Sequence, residues 1–242
     1  MALGDGVEQI ANRILLTASS RSLRARMLPV QVVELKRGMV LHHADEPVKR
    51  IYFINRGMVS IVKAMEDGRM VEVSATGIEG MTTPEVLFGA NAALLDGIVQ
   101  IPGSAFVIER SELVFAIAND RLLGNLLQDY LHLSMQRLAQ TAACNRLHSL
   151  VQRCSRWLLI AHDSARADTF PLTHEFLAIM LGVQRPGVSI AMQLLQKSGF
   201  VRYVRSDVSI ADRRGLEGTA CECYASLQQQ LHDLFPRKHA SA

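Results

Sequence analysis

The segment that most restricts the fold of this chain is Leu172–Phe200, LTHEFLAIMLGVQRPGVSIAMQLLQKSGF. Two apolar-periodic runs are separated by Gly182, and a Pro186-Gly187 pair opens the second. Thr173 is placed to cap a first helix that ends near Leu181, with Glu175 favourably set in its first turn. Gly182 supplies the positive φ that a tight helix–helix corner requires. Counting from His174, a small residue falls fifth (Ala178), glycine ninth (Gly182), a β-branched residue fifteenth (Val188) and Ala191 eighteenth. Two helices of a helix-turn-helix approach closely at these positions, so bulky or charged side chains would force them apart. Pro186 loses nothing in a first helical turn, where its missing N–H had no partner and its fixed φ already suits the helix.

The second helix is therefore predicted to bury Val188, Met192 and Leu195 and to present Arg185, Ser189, Gln193 and Lys197. Gly187 reads as a removal of bulk at the helix tip that lets backbone approach a DNA strand, and Gly199 ends the helix. Beyond it, Phe200–Tyr203 and Val208–Ala211 around Ser206-Asp207 predict a two-stranded wing. A plain helical hairpin would accept the apolar pattern as well. The ordered small, glycine and β-branched positions, the following wing and a basic bias together favour DNA binding over the plain hairpin. Residues 1–145 hold 14 Lys/Arg against 15 Asp/Glu, and residues 146–242 hold 12 against 8. From His174 to Arg205 the only acid is Glu175, against Arg185, Lys197, Arg202 and Arg205. A basic surface of this kind suits a polyanion.

Glycine usage divides the rest of the chain. Eight of the 16 glycines lie between Gly38 and Gly103, a zone read as short strands forming a small antiparallel barrel or jelly roll. Arg50–Asn55 and Met58–Met65 are expected to flank a turn at Arg56-Gly57, and Asp67-Gly68 to form a hairpin with Arg69–Ala75. No glycine falls between Asn125 and Leu181, and that zone is read as helical. Ser111 is read as the cap of a helix continuing to about Asn145. Its stripe Leu123, Leu127, Tyr130, Ser134, Leu138 and Thr141 is expected to form a coiled-coil-like dimer seam, since a helix between two domains has little of its own chain to cover it. A helix over about Leu147–Asp163 and a polar connection, Ser164–Pro171, complete the middle.

The expected fold class is α+β: a helical segment (1–27), an antiparallel sensor barrel (28–110), a dimerisation helix (111–145) and a winged helix-turn-helix domain with a C-terminal tail (146–242). Apolar residues make up 49% of 242 and charged residues 20%, a globular composition. The opening MALGDGVEQIANRILL shows no signal-peptide pattern, no apolar run suits a membrane span, and four cysteines make no disulfide scaffold. The expected location is the cytoplasm.

On PVKRIYFINRGMVSIV and on the segment from LTHEFLAIM to IADRRGL, the chain resembles the Crp/Fnr family of bacterial transcription regulators over roughly residues 28–220. The resemblance places Thr173 and His174 where the family contacts phosphates and Arg185 where it reads base edges. An arginine there can pair with guanine O6 and N7, a contact of ~1–3 kcal/mol in discrimination. The chain departs from the best-known members at Pro186, Gly187 and Ile190, so Ser189 and an apolar contact of Ile190 with a thymine methyl are expected to assist; Gln184, Gln193 and Lys197 complete the candidate DNA face.

Cyclic-nucleotide-binding relatives neutralise the phosphate with an arginine, and no Lys, Arg or His occurs from Met70 to Glu109. Cyclic AMP is therefore not expected to bind. An iron–sulfur cluster is not expected either, because residues 1–143 contain no cysteine. Cys221 and Cys223 offer two ligands, too few for structural zinc, and His42-His43 point to opposite faces of a strand. No cofactor or metal is expected. No phosphate-cradling loop, nucleophile elbow or HExxH occurs, and Asp45-Glu46 and Asp212 read as solvated turn acids, so no enzyme is expected. The expected function is a homodimeric regulator on an inverted-repeat operator, with double-stranded DNA and a second copy as partners and RNA polymerase as a further candidate. An effector-independent regulator and a protein-interaction module that no longer reads DNA are the alternatives.

Overall fold

The computed structural model describes residues 9–236; the remainder of the expected 1–27 segment and of the C-terminal tail lies outside the described residues. Helix α1 (Arg13–Arg21) is capped by Asn12, whose Oδ1 accepts from the Leu15 amide at 3.1 Å. The buried Asn12 amide also donates to the carbonyls of Ile54 and Gly80, so the cap anchors α1 to the sheet behind it. A short α2 (Leu23–Arg26) follows.

One antiparallel sheet contains β1 (Gln31–Leu35), β2 (Val40–His42), β3 (Arg50–Ala64), β4 (Met70–Thr76) and β5 (Asp96–Glu109). Its order is β1-β5-β3-β4, with β2 beside the other end of β5. The expected hairpin is present: Gly68 has φ +81° and Ala64 pairs with Met70. The expected turn at Arg56-Gly57 is not. β3 runs straight through it, and the pairing with β5 shifts register there. Gly57 (φ +89°) is a bulge rather than a turn, because a Cβ on it would sit 2.4 Å from the Ile101 carbonyl oxygen of the neighbouring strand.

After a 3-10 turn (Pro84–Phe88), the helices are α3 (Arg110–Asn119), α4 (Arg121–Leu147) and α5 (Leu150–Ala165). Ser111 lies inside α3, whose N-cap position is Glu109, and Asp120 then caps α4, accepting from the Leu122 and Leu123 amides and dividing the expected helix in two. Ser149 caps α5 in a reciprocal capping box with Gln152, which puts the helix start later than Leu147. The connection after α5 is not purely irregular, since β6 (Thr169–Pro171) pairs with the wing. Then follow α6 (His174–Leu181), α7 (Arg185–Lys197), β7 (Val201–Val204), β8 (Asp207–Ile210), α8 (Arg213–Thr219) and α9 (Cys223–Leu234).

The expected tail is thus a helix, and it returns to the sensor unit. Leu227, Leu231 and Phe235 share a core with Ile14, Phe53, Phe106, Leu127 and Tyr130. A second core joins Met58, Val62 and Ala75 of the sheet with Trp157 and Leu158 of α5, Leu177 of α6 and Val188 of α7. The sheet and the helix-turn-helix are consequently one packed body. The chain's own sheet, α1, α3 and α9 all lie against α4.

That packing revises the seam. Leu123, Leu127 and Tyr130 are buried inside the chain, Ser134 donates to the Tyr130 carbonyl, and Thr141 accepts from Arg156. Of the expected stripe only Leu138 is exposed. Periodicity located an apolar face, but the sensor unit covers it.

Candidate nucleic-acid interface and sensor cavity

The helix-turn-helix is built as its local sequence dictates. Thr173 Oγ1 accepts from the Phe176 amide at 3.2 Å, and Gly182 (φ +62°) closes α6. Pro186 occupies the first turn of α7 behind the Gln184 cap, and Val188, Ala191, Met192 and Leu195 are buried. The opposite face of α7 carries exposed Arg185, Ile190 and Gln193, with Lys197 in its last turn, and Gln184 is exposed just ahead of it. Leu194 is exposed beside Ile190 and was not anticipated; its place four residues on was the available signal. Gly199 has φ +77° directly after the helix.

Two expected readers are engaged with each other. His174 Nδ1 lies 3.0 Å from Ser189 Oγ, joining the starts of the two helices, and the His174 ring stacks on Tyr203 of the wing at 4.6 Å between centroids. Burial, then the charge of Arg185, lower the His174 pKa, which keeps the ring neutral. Arg185 Nε sits 3.8 Å from Glu175 Oε2, an exposed ion pair of little energetic weight. Such a contact leaves the guanidinium of Arg185 exposed to solvent. Gly187 departs from expectation: its missing Cβ faces Leu150 of α5 at 3.1 Å, so it permits helix packing rather than approach of a strand from outside. In the wing, Arg205 and Ser206 (φ +50° and +71°) form the turn one residue earlier than expected. Arg202, Val204 and Arg205 are exposed along it.

Between the sheet and α4 lies a cavity of about 250 Å³, walled by Ile61, Met81, Phe88, Leu94 and Leu131 among others. Tyr130 pins α4 to its floor: its hydroxyl donates to the Met81 carbonyl and accepts from the Met81 amide, both at 3.1 Å. Gly80 is needed there, since a Cβ would lie 2.1 Å from that hydroxyl. Two basic side chains line the cavity, His42 and Arg137. Burial lowers the His42 pKa, and its Nδ1 meets the Leu95 carbonyl at 2.9 Å. His43 turns instead toward Asp96, so the two histidines do not converge. Arg137, which the sequence offered no reason to place here, donates to Glu79 at 2.8 Å and to the Ala75 carbonyl at 2.5 Å. Burial alone would raise the Glu79 pKa, but the Arg137 guanidinium overrides it and holds the carboxyl below its usual range. The cation is thereby neutralised.

An antiparallel sheet, a long helix and a winged helix-turn-helix, in that order along one chain, define the architecture of a class of transcription regulator. Residues 32–127 match the cyclic nucleotide-binding domain and residues 152–219 the Crp-like helix-turn-helix domain. The two matches together span more than half of the chain, which belongs to the Crp/Fnr family of transcription regulators. No curated protein matches it in sequence.

Solved structures show the same fold. FixK2 from Bradyrhizobium japonicum superposes with a TM-score of 0.68 at 18% identity, covering 80% of this chain and 98% of its own. A CRP-family transcriptional regulator from Thermus thermophilus gives 0.65 at 21% identity, covering 78% and 96%. The c-di-GMP responsive global regulator CLP of Xanthomonas campestris gives 0.59 at 15% identity, covering 75% and 93%. Among the described residues no helix is long and apolar enough to cross a membrane.

Proposed function

We propose that this chain acts as a homodimer that binds an inverted-repeat operator and regulates transcription in the cytoplasm. The observation that carries the reading is the two-sided α7: its inner face is fully seated in the core, while Arg185, Ile190, Gln193, Leu194 and Lys197 stand exposed on a face without an acid of its own. Arg185 at the tip is the principal base reader, with Ile190 offering apolar contact to a thymine methyl. Thr173 and the wing's Arg202 and Arg205 face phosphate, while His174, hydrogen-bonded to Ser189 and stacked on Tyr203, braces the tip from within. Ser189 acts through His174, holding the tip in register. Two copies would set their α7 helices in successive major grooves, about one helical turn apart.

The second copy docks along a stripe of α4 rotated from the buried one. Met135, Leu138 and Ala142 are exposed at steps of three and four, with Leu131 at the start of the same row. These steps suit a two-helix seam. The row also borders the cavity, whose lining includes Leu131, Met135 and Leu138, so a bound effector would touch the helix that pairs the two copies.

The effector is proposed to be a small, largely apolar molecule. Among the described residues, nothing in the cavity wall offers an uncompensated positive charge for a phosphate, since Arg137 is taken by Glu79 and His42 is neutral. A calorimetric titration with cyclic AMP should show no binding; micromolar affinity would overturn that assignment. No catalytic role is assigned to any residue. Selection of random double-stranded DNA by the purified protein, followed by sequencing, tests the main reading. An enriched inverted repeat supports it. Binding that is salt-sensitive but unselective would show that the basic face grips phosphate without reading bases.

A further inference from the structure

The fold brings together two pairs of side chains of metal-binding type, Cys144 with His148 and Cys221 with Cys223, that the sequence keeps more than seventy residues apart. Cys144 lies near the end of α4 and His148 follows that helix; Cys221 and Cys223 lie between α8 and the first turn of α9. One donor atom from each comes within 4.8 Å of every other. Cys144 Sγ and Cys221 Sγ are 3.6 Å apart, and Cys223 Sγ is 3.6 Å from His148 Nδ1. We propose that Cys144, His148, Cys221 and Cys223 form a tetrahedral site for a thiophilic divalent cation, of which zinc is the type.

The dimensions fit. Zinc–sulfur bonds of about 2.3 Å and zinc–nitrogen bonds of about 2.0–2.1 Å give a tetrahedron with S···S edges of about 3.8 Å and S···N edges of about 3.6 Å. The Cys144–Cys221 and Cys223–His148 separations fall within about 0.2 Å of those edges, and a small inward movement closes the rest.

The surroundings fit as well. His148 Nε2 lies 3.1 Å from Glu222 Oε1, so the ring offers Nδ1 inward while a carboxylate holds the other nitrogen's proton. That arrangement fixes the tautomer and strengthens a ligating histidine. Gln140 Nε2 donates to Cys223 Sγ at 2.9 Å, the kind of bond that supports a thiolate. All three thiols are buried and gathered in a cluster of their own, with no aliphatic side chain among its members. On coordination each thiol passes its proton to solvent, leaving three thiolates and one divalent cation with a net charge of −1. The guanidiniums of Arg153 and Arg156 are close enough to Cys144 to interact with it electrostatically and would offset that charge.

The location gives the site a consequence. It ties the last turn of the helix proposed to pair two copies to the base of α9, directly beside the junction with α5 and the DNA-binding unit. Insofar as this bears on DNA, it rests on the function proposed above; the site itself does not, and its test needs no DNA.

The experiment uses untagged full-length protein, reduced and stripped of metal, titrated with cobalt(II) alone. Binding should saturate at about one ion per protomer, with the visible bands of tetrahedral cobalt and thiolate-to-metal charge transfer, and zinc should displace it. Cys223→Ser and His148→Gln should lose or markedly weaken the bands, while Cys154→Ser, a buried thiol of α5 outside the cluster, should keep them. His148→Gln removes a ligand at the edge of the cluster, so circular dichroism shows whether its loss of cobalt comes with an intact fold. Folded, reduced wild-type protein without visible cobalt bands would overturn the proposal. So would tight cobalt binding that both ligand variants retain. A Cys144–Cys221 disulfide that resists reduction in native protein, read as a 2 Da mass loss, would also overturn it.

Discussion

Glu72 of β4 allows a sharp test of how the sensor sheet holds the DNA-binding unit. It is buried between the sheet and α5, where its Oε2 meets Ser60 Oγ at 2.5 Å and its Oε1 accepts from Trp157 Nε1 at 3.0 Å. Burial pushes its pKa up to about 7, against the opposing effects of those two hydrogen bonds and of the Arg156 and Arg137 charges. An acid raised in this way favours the folded state in its protonated form. Its contribution is fully present below the unfolded value of about 4.5 and is lost as pH rises through about 7. The difference between the two values, at ~1.4 kcal/mol per unit, makes the loss about 3 kcal/mol.

Glu72→Gln separates this effect from every other titration. The amide keeps the geometry, donating to Ser60 Oγ and accepting from Trp157, and carries no charge at any pH. Urea unfolding at intervals from pH 5 to pH 8.5 measures it, with Trp157, the only tryptophan in the chain, as the fluorescent reporter at the site itself. Wild-type stability minus variant stability should fall by about 2–3 kcal/mol across that range, nearly all of it between pH 5 and pH 7, and stay level above. A difference that stays flat within ~0.5 kcal/mol, or that rises with pH, would refute the burial argument.

Three further outcomes are expected. Arg185→Ala should weaken binding to a selected operator by roughly 5- to 150-fold with little change in melting temperature; an equal loss on unselected DNA would show a phosphate contact instead. Leu127→Ala should cost about 2–5 kcal/mol in chemical unfolding because that side chain is core, whereas Leu138→Glu should leave the fold intact and shift sedimentation toward the monomer. The reverse pattern would restore the buried stripe as the seam. Gly57→Ala and Gly68→Ala both place a side chain at a positive φ, a backbone cost of about 1–2 kcal/mol each. Gly57→Ala should cost more in denaturant unfolding, because its Cβ meets the Ile101 carbonyl at 2.4 Å while that of Gly68 meets nothing within 4 Å; equal costs would remove the close approach as the reason for the bulge.

What the sequence disclosed and what it hid divide along the range of the interactions concerned. The helix-turn-helix was legible almost residue by residue, because its cap, its corner glycine, its first-turn proline and its inward stripe all lie within one short stretch. The Asp67-Gly68 hairpin was legible for the same reason. Arg56-Gly57 carried a similar local signature and misled, since the deciding contact is a carbonyl of β5 more than forty residues away. On α4 the period of apolar residues was right but the occupant of the face was wrong, as periodicity identifies a buried side without naming what covers it. The return of α9 and the convergence of Cys144 and His148 on Cys221 and Cys223 are wholly long-range. Nothing local in the sequence connects Leu227 and Leu231 to Ile14.

The same long-range contacts place three features on one helix. Tyr130 and Arg137 bind α4 to the cavity side of the sheet, Leu138 and Met135 stand exposed where a second copy is proposed to dock, and Cys144 and His148 lie at its far end against Cys221 and Cys223. A molecule that fills the cavity must press on the side chains between the first two of these, because the sheet beneath is a close-packed wall and α4 is the side with an exposed face. Interiors of protein density pass such a displacement on rather than absorb it. The proposed ion site would then decide where the movement goes. With the end of α4 clamped to α9, a rotation of the helix would carry α5 and the recognition helix with it; with the clamp open, the last turn near Leu147 would take up the strain by itself. Proposed effector response and proposed metal occupancy are thus predicted to be coupled: removing the ion should leave cavity binding nearly unchanged in calorimetry while reducing the effector's influence on operator affinity. An undiminished influence in the metal-free protein would show that the signal passes through the shared core of sheet and helix-turn-helix, by way of Ala75, Trp157 and Leu177, instead.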